Sequence, residues 1–172
     1  MIITVHGNPA PQGSISGFAI RKGGVYTGRV GYKSDNPALG DWREAVRAEA
    51  QDAAAAELPG PLTGPVTVSI LFRVARPQAH YGTGRNSGTV RASAPRFPMG
   101  GRRGDDLDKL ARAVLDGLQA GGVIADDKQV VDLCAAKRYA GAAPAGAVIT
   151  VVQTDELSWT WIQAKESEPG YA

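Results

Sequence analysis

Residues 105–133 read DDLDKLARAVLDGLQAGGVIADDKQVVDL, a stretch that combines a helix, a break and the start of a strand. From Asp108 to Ala120 the apolar residues recur every three or four positions, which predicts an amphipathic helix. The pair Gly121-Gly122 is expected to end this helix, and residues 129–138 have the β-branched content of a strand. This order predicts a layered domain in which helices pack on a sheet.

The rest of the chain supplies further strands and a second helix. We predict strands at 2–6, 66–74 and 147–153, a hairpin turning at Gly23-Gly24, and a helix over 37–56 capped by Asp35 or Asn36. Residues 75–104 show no clear periodicity and exceed an ordinary connection, so they are expected to be functional or disordered. The prediction is an α+β domain over residues 1–154, with a mixed sheet of four to five strands and two main helices packed on it. Residues 155–172 are expected to form a partly disordered tail.

Composition narrows the class of protein. With 172 residues, of which 43% are hydrophobic, the chain is long enough for one domain with a buried core. It contains no run of about 18 apolar residues that could span a membrane, so the expected location is the cytoplasm. The single cysteine, Cys134, excludes an internal disulfide and a cysteine-built zinc site, and we expect it to be buried in a strand. Any metal is therefore expected to bind Asp or Glu oxygens.

The net charge of +2 conceals a segregation of basic and acidic residues. Residues 1–34 and 58–104 together hold eleven Lys or Arg and no Asp or Glu. Such segments can build a positive surface that engages phosphates, although segregation along a chain need not survive folding. The eleven residues are Arg21, Lys22, Arg29, Lys33, Arg73, Arg76, Arg85, Arg91, Arg96, Arg102 and Arg103.

Two acidic pairs flank the predicted helix. Asp106 and Asp108 would point to the same side of an extended backbone, with Asp108 also starting the helix. Asp126 and Asp127 follow the glycine break, where a loop could return them to the same site. Converging carboxylates would suit Mg²⁺ or Mn²⁺, and such an ion would polarise a phosphodiester and help to generate hydroxide. The alternative is structural, because an Asp before a helix is commonly a cap and a DD pair is a common turn.

The same residues carry a resemblance to a known family. The run D-x-D-K-L-x-R-x-V-L-D-x-L from Asp106, followed by D-D-K-Q-V from Asp126, resembles the signature of RusA-type Holliday junction resolvases, especially those of phages and prophages. GNPAPQGS near the start and the segment RPQAHYGTGRN are similar to further stretches of this family. The resemblance implies that Asp106, Asp108 and Asp127 are catalytic aspartates that bind Mg²⁺, with Mn²⁺ as a substitute. Asp126 would be the acidic neighbour of the third aspartate, and Lys137 matches a basic position.

Three positions depart from the family pattern. Asp105 stands where proline is frequent, Lys109 stands where asparagine is usual, and Arg112 stands at the catalytic lysine. Arg112 is predicted to stabilise the transition state, but it cannot shuttle a proton as lysine can. Asp105 is expected to be exposed. The residues predicted to contact DNA are Arg73, Arg76, His80, Arg85, Arg102, Arg103 and Lys109.

The resemblance implies a function as well as a fold. It implies a homodimeric, Mg²⁺-dependent endodeoxyribonuclease that resolves four-way DNA junctions by paired nicks, in recombination and repair, within a bacterial host cell. A less selective metal-dependent nuclease of flaps and forks is the alternative enzyme. A catalytically silent protein that binds branched DNA is the alternative from another class, since Asp105 and Arg112 could mark a lost site. The DNA partner is common to all three hypotheses, and none of them involves a membrane.

Overall fold

The computed structural model describes residues 1–13, 15–34, 36–99 and 106–154. The predicted DNA contacts Arg102 and Arg103, together with Asp105 and the predicted tail, lie outside these residues. The strands are β1 (Ile2–His6), β2 (Ile15–Lys22), β3 (Val25–Ser34), β4 (Val66–Val74), β5 (Val130–Tyr139) and β6 (Gly146–Gln153), and the helices are α1 (Leu39–Glu57) and α2 (Leu107–Ala120).

Four strands form one mixed sheet in the order β1-β6-β4-β5. Strands β4 and β5 are parallel, whereas β6 is antiparallel to both of its neighbours. The predicted hairpin forms a separate two-stranded sheet, which we call the β2–β3 ribbon. The α+β prediction with two main helices is confirmed.

The core lies between one face of the four-stranded sheet and the two helices. Alternate residues of β4 from Val66 to Phe72 are buried, as expected for a strand with one covered face. On the helices, the apolar stripes face this layer. Their buried members include Trp42, Val46 and Ala50 on α1 and Leu110, Val114 and Leu118 on α2.

The chain order sets the direction of α2. A helix that connects two parallel strands must run back across the sheet, opposite to both. The C-terminal ends of β1, β4 and β5 lie together with the N-terminal end of β6. We call this end of the sheet, where the strands terminate, edge A; the name does not refer to an outermost strand. Strands β4 and β5 begin at the opposite end of the sheet, which we call edge B. Helix α2 therefore begins near edge A and ends near edge B.

Several local predictions are wrong. Helix α1 begins at Leu39 after Ala38, which makes no side-chain cap, while the Asn36 side chain accepts the backbone N–H of Ala38 outside the helix. Helix α2 begins at Leu107, so Asp108 lies in its first turn and does not form an extended pair with Asp106. Cys134 is exposed, because β5 is an edge strand that its neighbours cover only partly.

The long segment after β4 is held by backbone hydrogen bonds over its described residues 75–99. Short 3₁₀ turns lie at Gln78–His80 and Gly84–Asn86. The backbone doubles back around the second of these turns, where the N–H of Gly82 donates to Thr89 O at 2.9 Å. In the part of the chain that the structure describes, no helix is long and apolar enough to cross a membrane.

Candidate active site

Edge A carries the first acidic pair. Asp106 is the N-cap residue of α2, and its carbonyl accepts the N–H of Leu110 at 3.0 Å. Its carboxylate makes no cap hydrogen bond and instead meets Lys109, with 2.9 Å between Asp106 Oδ2 and Lys109 Nζ. Asp108 is exposed in the first turn. Both carboxylates are therefore accessible at the helix terminus that favours negative charge.

The start of α2 is tied to edge A by the segment that follows β1. The backbone N–H of Gln12 donates to the carbonyl of Lys109 at 3.1 Å. This segment leaves the sheet at His6, which pairs with Gly146, and Gly146 pairs with Arg73 near the end of β4. The segment from His6 to Gln12 thus connects the start of α2 to this end of the sheet.

Two lysines act on Asp106. A hydrogen bond from Lys109, and then the charge of Lys109, lower the pKa of the Asp106 carboxyl, and the charge of Lys137 lowers it further. Lys137 lies beside Phe72 near the end of β5, at the same edge. The structure therefore brings Asp106, Lys109 and Lys137 together. Because Asp106 is exposed, this pairing contributes little to stability.

Arg112 is exposed one turn after Asp108, where its positive charge can reach a phosphate bound at the helix start. The i, i+4 spacing of Arg112 and Asp116 on α2 would allow their side chains to pair. Asp116 instead contacts Arg43 of α1, with 3.0 Å between Arg43 Nη2 and Asp116 Oδ2. Asp116 therefore links the two helices and does not orient Arg112.

Edge B carries the second acidic pair, in a 3₁₀ turn at Asp127–Gln129. The Asp126 carboxylate accepts the backbone N–H of Lys128 at 3.0 Å, and the Gln129 side chain accepts the N–H of Asp126 at 2.8 Å. The same Gln129 side chain donates to the carbonyls of Leu62 and Gly64, each at 2.9 Å. This reciprocal cap holds the turn beside the start of β4 and leaves Asp127 exposed.

Asp126 is thus committed to the turn. The hydrogen bond from the backbone N–H of Lys128 lowers the pKa of the Asp126 carboxyl most. The Lys128 side chain lowers this pKa further, since its Nζ lies 3.0 Å from Asp126 Oδ2. The neighbouring Asp127 side chain lowers the same pKa slightly further. Of this pair, Asp127 is the more available ligand.

The two acidic pairs lie at opposite edges of the sheet. Fourteen residues of α2 separate them, which corresponds to about 21 Å along the helix axis. A loop that returns Asp127 to Asp106 within one chain is therefore not what the structure has. Gln129 anchors the turn with Asp127 at edge B, whereas Gln12 anchors the start of α2 at edge A. Among the described residues, no group of three Asp, Glu, His or Cys side chains could hold a metal ion.

Arginine and aromatic side chains cover edge A. The Arg76 guanidinium lies 3.9 Å from the ring centroid of Tyr139, and the His80 ring meets Tyr139 edge-on at 5.7 Å. Arg138 lies 5.1 Å from the Phe97 ring centroid. Such cation-π pairs hold guanidinium groups in fixed orientations on the surface. Two of the predicted DNA contacts, Arg76 and His80, are therefore held against Tyr139.

The other predicted DNA contacts differ in their surroundings. Arg73 is half-buried, and within the described residues its Nε, like Nδ1 of His80, is a buried nitrogen without a hydrogen-bond partner. Arg85 is exposed in the 3₁₀ turn at Gly84–Asn86. Lys109 is paired with Asp106. A role of these residues in DNA binding stays a prediction.

Sequence reasoning missed the two glutamines that position the acidic pairs. Gln129 is the last residue of D-x-x-Q, the spacing of a reciprocal helix cap, and this spacing is the signal that could have indicated its role. The contact of Gln12 with α2 is made by its backbone, so no sequence signal could have indicated it.

Exposed carboxylates next to lysines and arginines are the residue types with which hydrolytic nucleases bind a divalent ion and a phosphate. The model of the family Endodeoxyribonuclease RusA matches residues 21–152, and the chain belongs to this family. The resemblance found from the D-x-D and D-D-x-Q-V motifs is confirmed, and the chain is an endodeoxyribonuclease, a hydrolase of DNA. No curated protein sequence matches the chain.

Proposed function

We propose that the chain is a Mg²⁺-dependent endonuclease that resolves four-way DNA junctions as a homodimer, with each active site built from two copies. Membership of the RusA family supports the junction substrate. The observation that carries the two-copy site is the position of Asp106 and Asp127 at opposite edges of one sheet. In this proposal Asp106 and Asp108 of one copy face Asp127 of the other.

A two-fold dimer supplies this arrangement twice. In an isologous interface, edge A of one copy meets edge B of the second, and the symmetry operation creates the reciprocal contact. The outer edge of β5 suits such an interface, because Val131 and Leu133 are exposed on an edge strand and Cys134, the residue after Leu133, is exposed as well. Antiparallel pairing of two β5 strands would bring the start of one strand beside the end of the other.

Three carboxylates from two copies fit a hard divalent ion. Mg²⁺ takes oxygen ligands and usually retains several waters, so one or two carboxylates from each copy suffice, and Mn²⁺ would substitute. When bound, the ion would supply polarisation of the phosphodiester and a water of lowered pKa. The Lys109 ammonium, 2.9 Å from Asp106 Oδ2, lies where a cation approaches that carboxylate, so Lys109 would turn to the DNA phosphate on metal binding.

The basic residues at edge A would bind the scissile phosphate. Arg112 presents positive charge one turn after Asp108, and Lys137 lies close enough to Asp106 to lower its pKa. A guanidinium keeps its proton, whereas an ammonium can release one. Lys137 is thus the better candidate to protonate the leaving 3′ oxygen, while Arg112 stabilises the negative charge of the transition state.

Two equivalent sites on one symmetric dimer match a substrate with two equivalent strands to cut. A four-way junction has such symmetry, and paired nicks with 5′-phosphate and 3′-hydroxyl ends would convert it into two duplexes. This activity would serve DNA recombination and repair in the cytoplasm of a bacterial host cell. Asp126 would act in the same site only through its contact with Asp127.

A cleavage assay with several DNA structures tests the proposal. With Mg²⁺ or Mn²⁺, we expect two symmetric nicks in a four-way junction, and at least about tenfold slower cleavage of flaps, forks and linear duplex, because those lack two strands related by the dimer axis. Removal of the metal with EDTA should abolish cleavage and leave junction binding intact. Band-shift and denaturing gels measure both.

Two outcomes would contradict the proposal. Equal cleavage of every DNA structure would identify the less selective flap and fork nuclease. Junction binding without any cleavage in Mg²⁺ or Mn²⁺ would identify the catalytically silent binding protein.

A further inference from the structure

The β2–β3 ribbon is exposed to solvent along most of its length. Every residue from Ser16 to Val30 is exposed, and neither strand packs extensively on another described helix or strand. Large apolar side chains lie on this surface: Val25 is 71% exposed and Phe18 is 52% exposed. A two-stranded ribbon has little stability of its own in water, so this ribbon gains contacts when a partner covers it.

The charge of the ribbon indicates the chemistry of that partner. Residues 15–34 contain four Lys or Arg and no Asp or Glu. Arg21 and Lys22 lie beside the turn, and Arg29 lies on the other strand in the irregular stretch opposite Ile20. A polyanion would neutralise these charges, whereas a second copy of the same ribbon would repel them.

The base of the ribbon lies next to the candidate active site. Gln12, whose N–H donates to Lys109 beside Asp106, is three residues before β2 begins. On the other side, the Asn36 side chain donates to the carbonyl of Pro11 at 2.8 Å, just after β3 ends. The eight residues of β2 carry the turn about 26 Å from this base. The ribbon thus extends from the site over a length of about eight base pairs.

We propose that the β2–β3 ribbon binds along the major groove of a duplex DNA arm that leaves the active site. The groove admits a two-stranded β-ribbon, and several DNA-binding proteins use strands in this way. Arg21, Lys22 and Arg29 contact phosphates, while Phe18 and Val25 contact the apolar parts of the groove. This proposal rests on the proposed function, in which DNA is the substrate. The ribbon would bind the duplex arm beyond the point of cleavage.

A charge-neutral variant with a matched control tests the proposal. Arg21→Gln combined with Lys22→Gln removes two charges near the turn, and Arg43→Gln combined with Arg47→Gln removes two charges from α1, whose arginines pair with Asp116 and Glu44. We expect the ribbon variant to bind a long-armed junction about tenfold more weakly at moderate salt, and the slope of log K against log salt to fall by about two. The α1 variant should bind like the wild type. Thermal unfolding checks that all proteins are folded.

Each alternative has its own result. If the ribbon variant and the α1 variant bind equally well at every salt concentration while the wild type cleaves junctions, the ribbon proposal fails and the proposed function stands. If sedimentation instead gives the ribbon variant a lower molecular mass than the wild type, the ribbon holds two copies together and the DNA-arm proposal is overturned. A wild type that binds no DNA would overturn the proposed function itself. Arg29→Gln is a second test on the other strand, with an expected fall in the slope of about one.

Discussion

Replacement of Asp127 by Asn is expected to lower the single-turnover rate of junction cleavage on the order of 10³-fold, with junction affinity unchanged or increased. The side chain keeps its size, so the turn at edge B, which depends on Asp126 and Gln129, should persist. What is lost is one charged oxygen ligand in each of the two proposed sites. Loss of a negative charge near DNA reduces repulsion, which explains why binding should not weaken.

Asp52→Asn is the matched control for this variant. Asp52 is an exposed residue of α1, so the substitution changes the net charge equally at a position that we assign no role. Its cleavage rate should equal that of the wild type. A rate for Asp127→Asn within about threefold of the wild type, measured with saturating protein and Mg²⁺, would remove Asp127 from the site.

Gly146→Ala is expected to lower the free energy of unfolding by about 3 to 5 kcal/mol. Gly146 has a φ of +152°, which side chains rarely adopt, and a Cβ at this position would overlap the backbone carbonyl of Val5. Because β1 and β6 pair at this point, the overlap cannot be relieved by rotating a side chain. The melting temperature should fall by roughly 10 °C.

Gly141→Ala provides the control for the stability measurement. Gly141 lies between β5 and β6, its φ is not positive, and no atom lies within 4 Å of where its Cβ would stand. This variant should melt within about 2 °C of the wild type. Equal melting temperatures for the two variants would show that β6 does not begin as described.

Much of the fold could be predicted from the sequence. The apolar stripe of α2 and the alternation in β4 directly reflect burial on one side, so the elements and their class were predicted correctly. Helix starts were less predictable, because Asn36 and Asp108 have the residue types of caps without occupying the cap position. The exposure of Cys134 depends on the strand order, and strand order is a long-range property that a local pattern does not contain.

The residue types of the candidate site could be predicted, but their distribution in space could not. The spacing of Asp106 and Asp127 along the chain is compatible with a loop that returns and with a helix that carries the second residue away. The structure has the second arrangement, because the helix spans the sheet and Gln129 anchors the far turn. That geometry is the reason for a proposed site that needs two chains.

A subunit-mixing experiment tests the two-copy site most directly. Asp106→Asn and Asp127→Asn chains, each inactive alone, are co-expressed with different affinity tags, and the mixed dimer is isolated. In a shared site, the mixed dimer has one site with both substitutions and one site with neither. We predict that it nicks one strand of the junction at about half the total rate of the wild-type dimer. A mixed dimer as inactive as its parents would contradict a site shared between two copies.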